Sequence, residues 1–213
     1  PAPGNPELRV DPNPFWPTYE TLKIVAAKRA ILNSVLGISW FWALGVVILS
    51  AFPFYTKEVL HCHIEVSTLL FVIFSLGVAA GSMICERLSY GRLELGLVPM
   101  GSIGVSLFLA CLWLLGNPLP VPAVPYSWSE FLHQPGGIMV SISVFLFCFF
   151  SGFFIVPLYT LIQQRSEPEQ RARVIAGNNI INAFFMVAAI GLTAGLRKLG
   201  LSFPEVFGVM AFL

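Results

Sequence analysis

The sequence predicts an all-α, polytopic membrane protein. Hydrophobic residues make up 56% of the chain and charged residues only 11%, whereas soluble domains carry about 25% charged residues. Five uncharged apolar runs are each long enough to cross a bilayer, which takes about 20 residues in a helix. Twelve Lys and Arg nearly balance eleven Asp and Glu, so we expect no nucleic acid partner; the bilayer is the expected environment.

The N-terminal segment, residues 1–29, is interpreted as a cytoplasmic linker followed by a surface helix. Six prolines in residues 1–17 predict an extended linker, because proline removes helix hydrogen bonds. Residues 18–29 then predict a short helix with an apolar face and a charged face. We expect this helix to lie on the membrane surface and to lead into the first span.

Residues 30–213 are interpreted as a transmembrane half-bundle. Its predicted spans are residues 31–52, 66–85, 95–115, 137–162 and 174–196. A sixth apolar run, residues 203–213, reaches only about half way across a bilayer at 1.5 Å rise per residue. We therefore expect the chain to be part of a longer protein.

Lysine and arginine residues predict the orientation of the spans, because basic loops stay on the cytoplasmic side. Nine of the twelve lie before the first span, between the second and third, or between the fourth and fifth. Pro1 and the turn at 86–94 are therefore predicted to be cytoplasmic. Cys62 and the proline-rich loop 116–136 are predicted to be external. In that loop Ser127-x-x-Glu130 predicts a capping box and a short interfacial helix.

The turn between the second and third spans has two interpretations. Gly77 and Gly81 are four residues apart, so they share a helix face and predict close approach of a neighbouring backbone. The charged residues that follow indicate either a solvated turn or a conformational latch in which Arg87 and Arg92 pair with carboxylates and helix C-termini. The latch candidates are Gly81, Glu86, Arg87, Gly91, Arg92, Glu94, Arg165 and Arg171.

Polar and aromatic residues inside the spans predict a path for a polar group. Polar side chains at membrane depth face the bundle interior or a wet path, or they hold helices together by hydrogen bonds. Tryptophans in mid-span indicate a partly polar cavity or an aromatic wall, or they are packed aromatic residues. The path candidates are Trp40, Trp42, Tyr159, Asn178, Asn179 and Asn182.

Catalytic, metal and cofactor sites are not predicted for this chain. It has neither a P-loop nor a G-x-S-x-G motif, and its single Asp, Asp11, lies in the linker. No His-x4-Asp acyltransferase motif is present. The cluster His61-Cys62-His63-Ile64-Glu65 has zinc-ligand residue types, but its members are adjacent and no second cluster exists to complete a site. We interpret it as a polar loop before a helix.

Three sequence stretches resemble a family of transporters. Residues 81–92 resemble the loop motif Gly-x3-Asp-Arg-x-Gly-Arg of the major facilitator superfamily, although Glu86 is the acid and three residues separate Arg87 from Gly91. ISWFW, CERLS-x-G-x-x-E-x-GLVP and VPLYTLIQQRS…RARVIAGNNIINAFFM together resemble its lysophospholipid transporters. The resemblance is greatest to the form fused to a phospholipid acyltransferase, and it extends from about Asn13 onward.

The resemblance implies a fold of twelve helices in two halves. This chain would then be the C-terminal half, with five full spans and the start of a sixth. The implied function is flipping of lysophospholipids across the bacterial inner membrane for reacylation. The implied partners are the N-terminal half of the same polypeptide and a fused or associated acyltransferase. The alternatives are the membrane domain of a multidomain acyl-ACP/phospholipid acyltransferase enzyme, a carrier of another small amphipathic solute, and a structural membrane anchor.

Overall fold

A computed structural model describes residues 15–213, and these residues form an all-α protein. Five of its helices are long and apolar enough to cross a membrane, which confirms a polytopic membrane protein. The only β-pairing among the described residues is an isolated bridge between Cys62 and Tyr126. The helices are α1 (Phe15–Ala27), α2 (Arg29–Glu58), α3 (Ile64–Ser89), α4 (Leu97–Leu115), α5 (Trp128–His133), α6 (Pro135–Arg165), α7 (Arg171–Lys198) and α8 (Phe203–Phe212).

The spanning helices α2, α3, α6 and α7 run beyond the predicted apolar spans. α2 continues through Pro53 to Glu58, and α6 begins at Pro135 and passes through Pro157 to Arg165. Hydropathy identifies only the apolar part of a helix. The helical hydrogen bonds of the backbone continue into the polar residues at either end, so each helix is longer than its apolar run. Pro135 suits the first turn of α6, because the missing N–H would have no helical partner there.

The predicted boundary between the linker and the first helix is wrong, because α1 begins at Phe15 and not at Thr18. Pro17 falls in the first turn, where no intrahelical bond is lost. The rest of the predicted linker, residues 1–14, lies outside the described residues. α1 packs against α7, where Val25 is fully buried against Gly177.

Helix α6 lies at the centre of the bundle, between α3 and α4. Gly77 and Gly81 of α3 face the α6 backbone so closely that a Cβ at Gly81 would overlap the carbonyl oxygen of Phe149. Gly101 of α4 approaches Phe154 of α6 in the same way. The predicted close approach at Gly77 and Gly81 is therefore confirmed, and the reason is the absence of side chains that would separate the helices.

The two ends of the bundle differ in what connects the helices. We call the end that carries residues 59–63 and 116–136 the loop face. We call the end that carries the turn at 90–96 and the connection 166–170 the hinge face. On the loop face the predicted capping box is present, since Ser127 accepts from the backbone N–H of Glu130 and Glu130 accepts from that of Ser127.

Candidate functional site

A cavity of about 540 Å³ lies between α2, α3 and α6, with Met186 of α7 at its wall. Its volume is typical of small-molecule sites, which range from about 300 to 1,000 Å³. The lining is almost entirely apolar and aromatic. It includes Phe41, Trp42, Leu49, Phe74, Val78, Ile155 and Tyr159. We call this space the apolar cavity.

Two predicted path residues meet at the wall of the apolar cavity. The indole Nε1–H of Trp42 donates a hydrogen bond of 3.0 Å to the hydroxyl of Tyr159. This bond joins α2 to α6 at the cavity wall. The indole and phenol are apolar except at these atoms, so they offer a large apolar surface beside a small polar one.

The structure places Trp40 away from the apolar cavity. Residues two apart on a helix are rotated by about 200°, so Trp40 and Trp42 point to nearly opposite sides of α2. Trp40 borders two other cavities, both of which also include Met210 of α8. The two tryptophans therefore do not form one aromatic wall.

The three asparagines of α7 have three different environments. Asn182 is buried, and its Oδ1 accepts a hydrogen bond of 2.7 Å from the hydroxyl of Ser39 on α2. Asn178 is only 1% exposed, and its Nδ2 lies 3.5 Å from Oδ1 of the exposed Asn179. None of the three lines the apolar cavity. The geometry at Asn182 is that of an interhelical hydrogen bond. Sequence reasoning did not single out Ser39, because a serine is common inside spans and only the fold shows its partner.

Several predicted latch residues surround a second cavity, of about 390 Å³, at the hinge face. Tyr90 and Gly91 turn the chain there with φ of 49° and 69°, which is the left-handed region that glycine adopts readily. Glu86, Gly91, Arg92 and Glu94 line this second cavity together with Pro157 and Thr160 of α6. Gly81 lies instead in the α3–α6 packing.

The ion pairs of the hinge face differ from those of the predicted latch. Within the described residues, neither Arg87 nor Arg92 has a carboxylate within 4.0 Å, and the same holds for Arg165 and Arg171. The pairs that form are Lys28–Glu167 at 2.9 Å and Arg173–Glu20 at 3.9 Å. Both join α1 or the start of α2 to the region around α7. Partners so distant in sequence leave no local pattern, so sequence reasoning missed them.

In the loop His61–Cys62–His63, Cys62 is packed into the loop face, whereas His63 is exposed. Cys62 is 6% exposed and its thiol donates to the carbonyl oxygen of Leu60. Burial raises the pKa of this thiol to about 12, which disfavours the thiolate that a metal would require. Among residues 15–213, no three His, Cys, Asp or Glu side chains are grouped for metal binding.

Comparisons with known proteins assign no relative to this chain. It matches no protein-family model, no curated protein and no solved structure.

Proposed function

We propose that this chain belongs to a membrane transporter of the major facilitator type that flips lysophospholipids across a bacterial inner membrane for reacylation. The observation that carries the proposal is the apolar cavity, because a half-open apolar space beside a hydrogen-bonded Trp42–Tyr159 pair suits an acyl chain. A structural anchor needs no such space inside its bundle. The sequence resemblance to lysophospholipid transporters supports the same substrate class.

The helices around the apolar cavity also support movement of a substrate. α3 and α6 are packed tightly at Gly77 and Gly81, whereas α6 carries Pro157 further along, near the hinge face. Proline removes one helical hydrogen bond, so a helix bends at that point at a lower cost than elsewhere. The tight contact would act as a fixed point, and the Pro157 end of α6 would move relative to α3.

Flipping can be measured with the purified protein in proteoliposomes that carry fluorescent lysophosphatidylethanolamine. The rate at which label leaves the outer leaflet is read from its quenching by an impermeant reductant. We expect protein-dependent flipping, and we expect Trp42→Ala to lower it several-fold because the cavity wall loses its largest ring. Trp128→Ala is the matched control, since Trp128 lies on α5 at the loop face, outside the cavity lining.

The outcomes separate the alternatives. Flipping that is equally slow with and without protein would overturn the proposed function. Protein-dependent movement of other small amphipathic solutes but not of lysophospholipid would indicate the alternative carrier. Lysophospholipid acylation by the same preparation, without flipping, would indicate the membrane domain of an acyltransferase.

A further inference from the structure

The second cavity continues from the apolar cavity toward the hinge face. Val156 and Thr160 of α6 line both spaces, so the two share a wall. The second cavity contains Glu86, Arg92 and Glu94, whereas the apolar cavity has no charged residue in its lining. We call the second cavity the charged vestibule. We call the two adjoining spaces together the cleft, which is apolar between the helices and charged at the hinge face.

A single stripe of α3 lines this cleft from one end to the other. Phe74 and Val78 border the apolar cavity, and Ser82 and Glu86 border the charged vestibule. These four residues are spaced by four, so they lie on one helix face. From Phe74 to Glu86 the stripe covers about 18 Å at 1.5 Å per residue. Its side chains change along that distance from an aromatic ring to a hydroxyl and then to a carboxylate.

The charges of the vestibule are not used for internal ion pairs. Within residues 15–213, no Lys or Arg lies within 4.0 Å of the carboxylates of Glu86 or Glu94, and Arg92 has no carboxylate partner. Elsewhere on the hinge face, Lys28 and Arg173 are paired. One guanidinium and two carboxylates in the vestibule therefore remain available to a ligand that carries both signs of charge.

We propose that the charged vestibule binds the headgroup of a zwitterionic single-chain amphiphile whose chain lies in the apolar cavity. The Arg92 guanidinium would hold the phosphate, because its planar donors match phosphate oxygens. Glu86 and Glu94 would hold the ammonium group, whose three N–H donors need acceptors. This inference rests on the proposed function and adds to it a headgroup class and the residues that select it.

Binding by the purified protein in detergent tests the inference with defined amphiphiles. Dissociation constants are measured for lysophosphatidylethanolamine, for lysophosphatidylglycerol, which lacks the ammonium group, and for monoacylglycerol, which has no charge. We expect Arg92→Gln to weaken both phospholipids about tenfold, the effect of one charge-assisted hydrogen bond, and to leave monoacylglycerol unchanged. Glu86→Gln with Glu94→Gln should weaken lysophosphatidylethanolamine alone.

Arg87→Gln is the matched control for these affinities. It removes the same charge from the same turn, but Arg87 does not line the charged vestibule. Equal weakening by Arg87→Gln and Arg92→Gln would show general surface attraction and would overturn the inference. The unfolding midpoint of each variant shows whether its fold is intact, and the carboxylate variants supply an independent test if Arg92→Gln is unstable.

Two further outcomes distinguish this inference from the proposed function. If the protein flips lysophospholipids but binds all three amphiphiles with the same affinity, the headgroup assignment is overturned and the proposed transport function stands. Binding of none of the amphiphiles, together with no flipping, would overturn both.

Discussion

The loop face and the hinge face show two ways of ending the same helices. On the loop face parts of the connecting chain are packed inside, since Leu60 and Phe131 are fully buried, whereas Val121 and Val124 are exposed. His63 donates its N–H to the carbonyl oxygen of Tyr126 at 2.9 Å, and Tyr126 donates to that of His61 at 3.1 Å. On the hinge face, Tyr90 is 89% exposed, and the charged vestibule opens beside it.

The difference indicates which end of the bundle can change. Buried apolar residues and paired backbone groups make local opening costly, whereas an exposed turn with few contacts opens readily. The loop face is therefore the more closed end of the described bundle, and in the proposed function the hinge face is where a ligand would enter or leave. Four predictions test this contrast, from the largest expected effect to the smallest, and a fifth concerns the interior between the two faces.

Thiol labelling should show the greatest difference between the two faces. In a variant that keeps Cys62 alone, labelling at neutral pH should be about a thousandfold slower than at a cysteine placed at Tyr90, because burial raises the pKa of Cys62 from 9.0 to about 12 and the thiolate is the reactive form. Mass spectrometry of timed samples measures both rates. Similar rates would mean that the loop face is open.

The same raised pKa predicts a pH dependence of stability. The folded protein holds the Cys62 proton more tightly than the unfolded chain does, so the contribution is complete below pH 9.0 and is lost as the pH rises toward about 12. Cys62→Ser should reduce this loss of stability at alkaline pH, measured as the shift of the unfolding midpoint between neutral and alkaline buffer. A variant with the same alkaline shift as the parent would contradict the assignment to Cys62.

Glycine substitutions should destabilise the loop face more than the hinge face. A Cβ at Gly137 would overlap the carbonyl oxygen of Phe131, so Gly137→Ala should lower the free energy of unfolding by about 3 kcal/mol. A Cβ at Gly91 meets nothing within 4 Å, so Gly91→Ala should cost only about 1 kcal/mol for its left-handed backbone. Unfolding in detergent measures both. Equal costs would contradict the contrast between the two faces.

The ion pair Arg197–Glu58 at the loop face should stabilise the fold more than Lys28–Glu167 at the hinge face. Arg197 pairs with Glu58 at 2.7 Å, donates to the carbonyl oxygen of Leu201 and lies 4.1 Å from the ring centre of Phe203. Arg197→Gln should therefore cost about 1 kcal/mol. Lys28→Gln, which breaks a more exposed pair, should cost about 0.3 kcal/mol. The reverse order in unfolding experiments would contradict the comparison.

The hydrogen bond between Ser39 and Asn182 gives a reference from the interior, between the two faces. A double-mutant cycle with Ser39→Ala and Asn182→Ala should yield a coupling of about 0.6 kcal/mol, the average for such bonds between membrane helices. The free energy of unfolding is measured for all four proteins. Zero coupling, combined with reduced flipping in the Asn182 variant, would return this asparagine to the substrate path.

The sequence by itself determined the class of the protein and the number of its long apolar helices. An uncharged run that is long enough to cross the bilayer as a helix forms a helix there, because a helix satisfies the hydrogen bonds of its backbone groups within itself. It also determined the capping box at Ser127, whose partners lie three residues apart, and the close approach at Gly77 and Gly81, whose spacing is that of one helix face. Each of these features depends on residues that lie close together in the sequence.

The tertiary structure alone decided which of the candidate residues meet. Trp42 contacts Tyr159, Asn182 contacts Ser39 and Lys28 contacts Glu167 across more than one hundred residues of chain, and no local period encodes such partners. The same holds for the cleft, since a cavity exists only where helices separate. Trp40 and Trp42 are two residues apart on α2 and therefore point to different sides of the helix. Only the packing of the helices decides which of the two faces the apolar cavity.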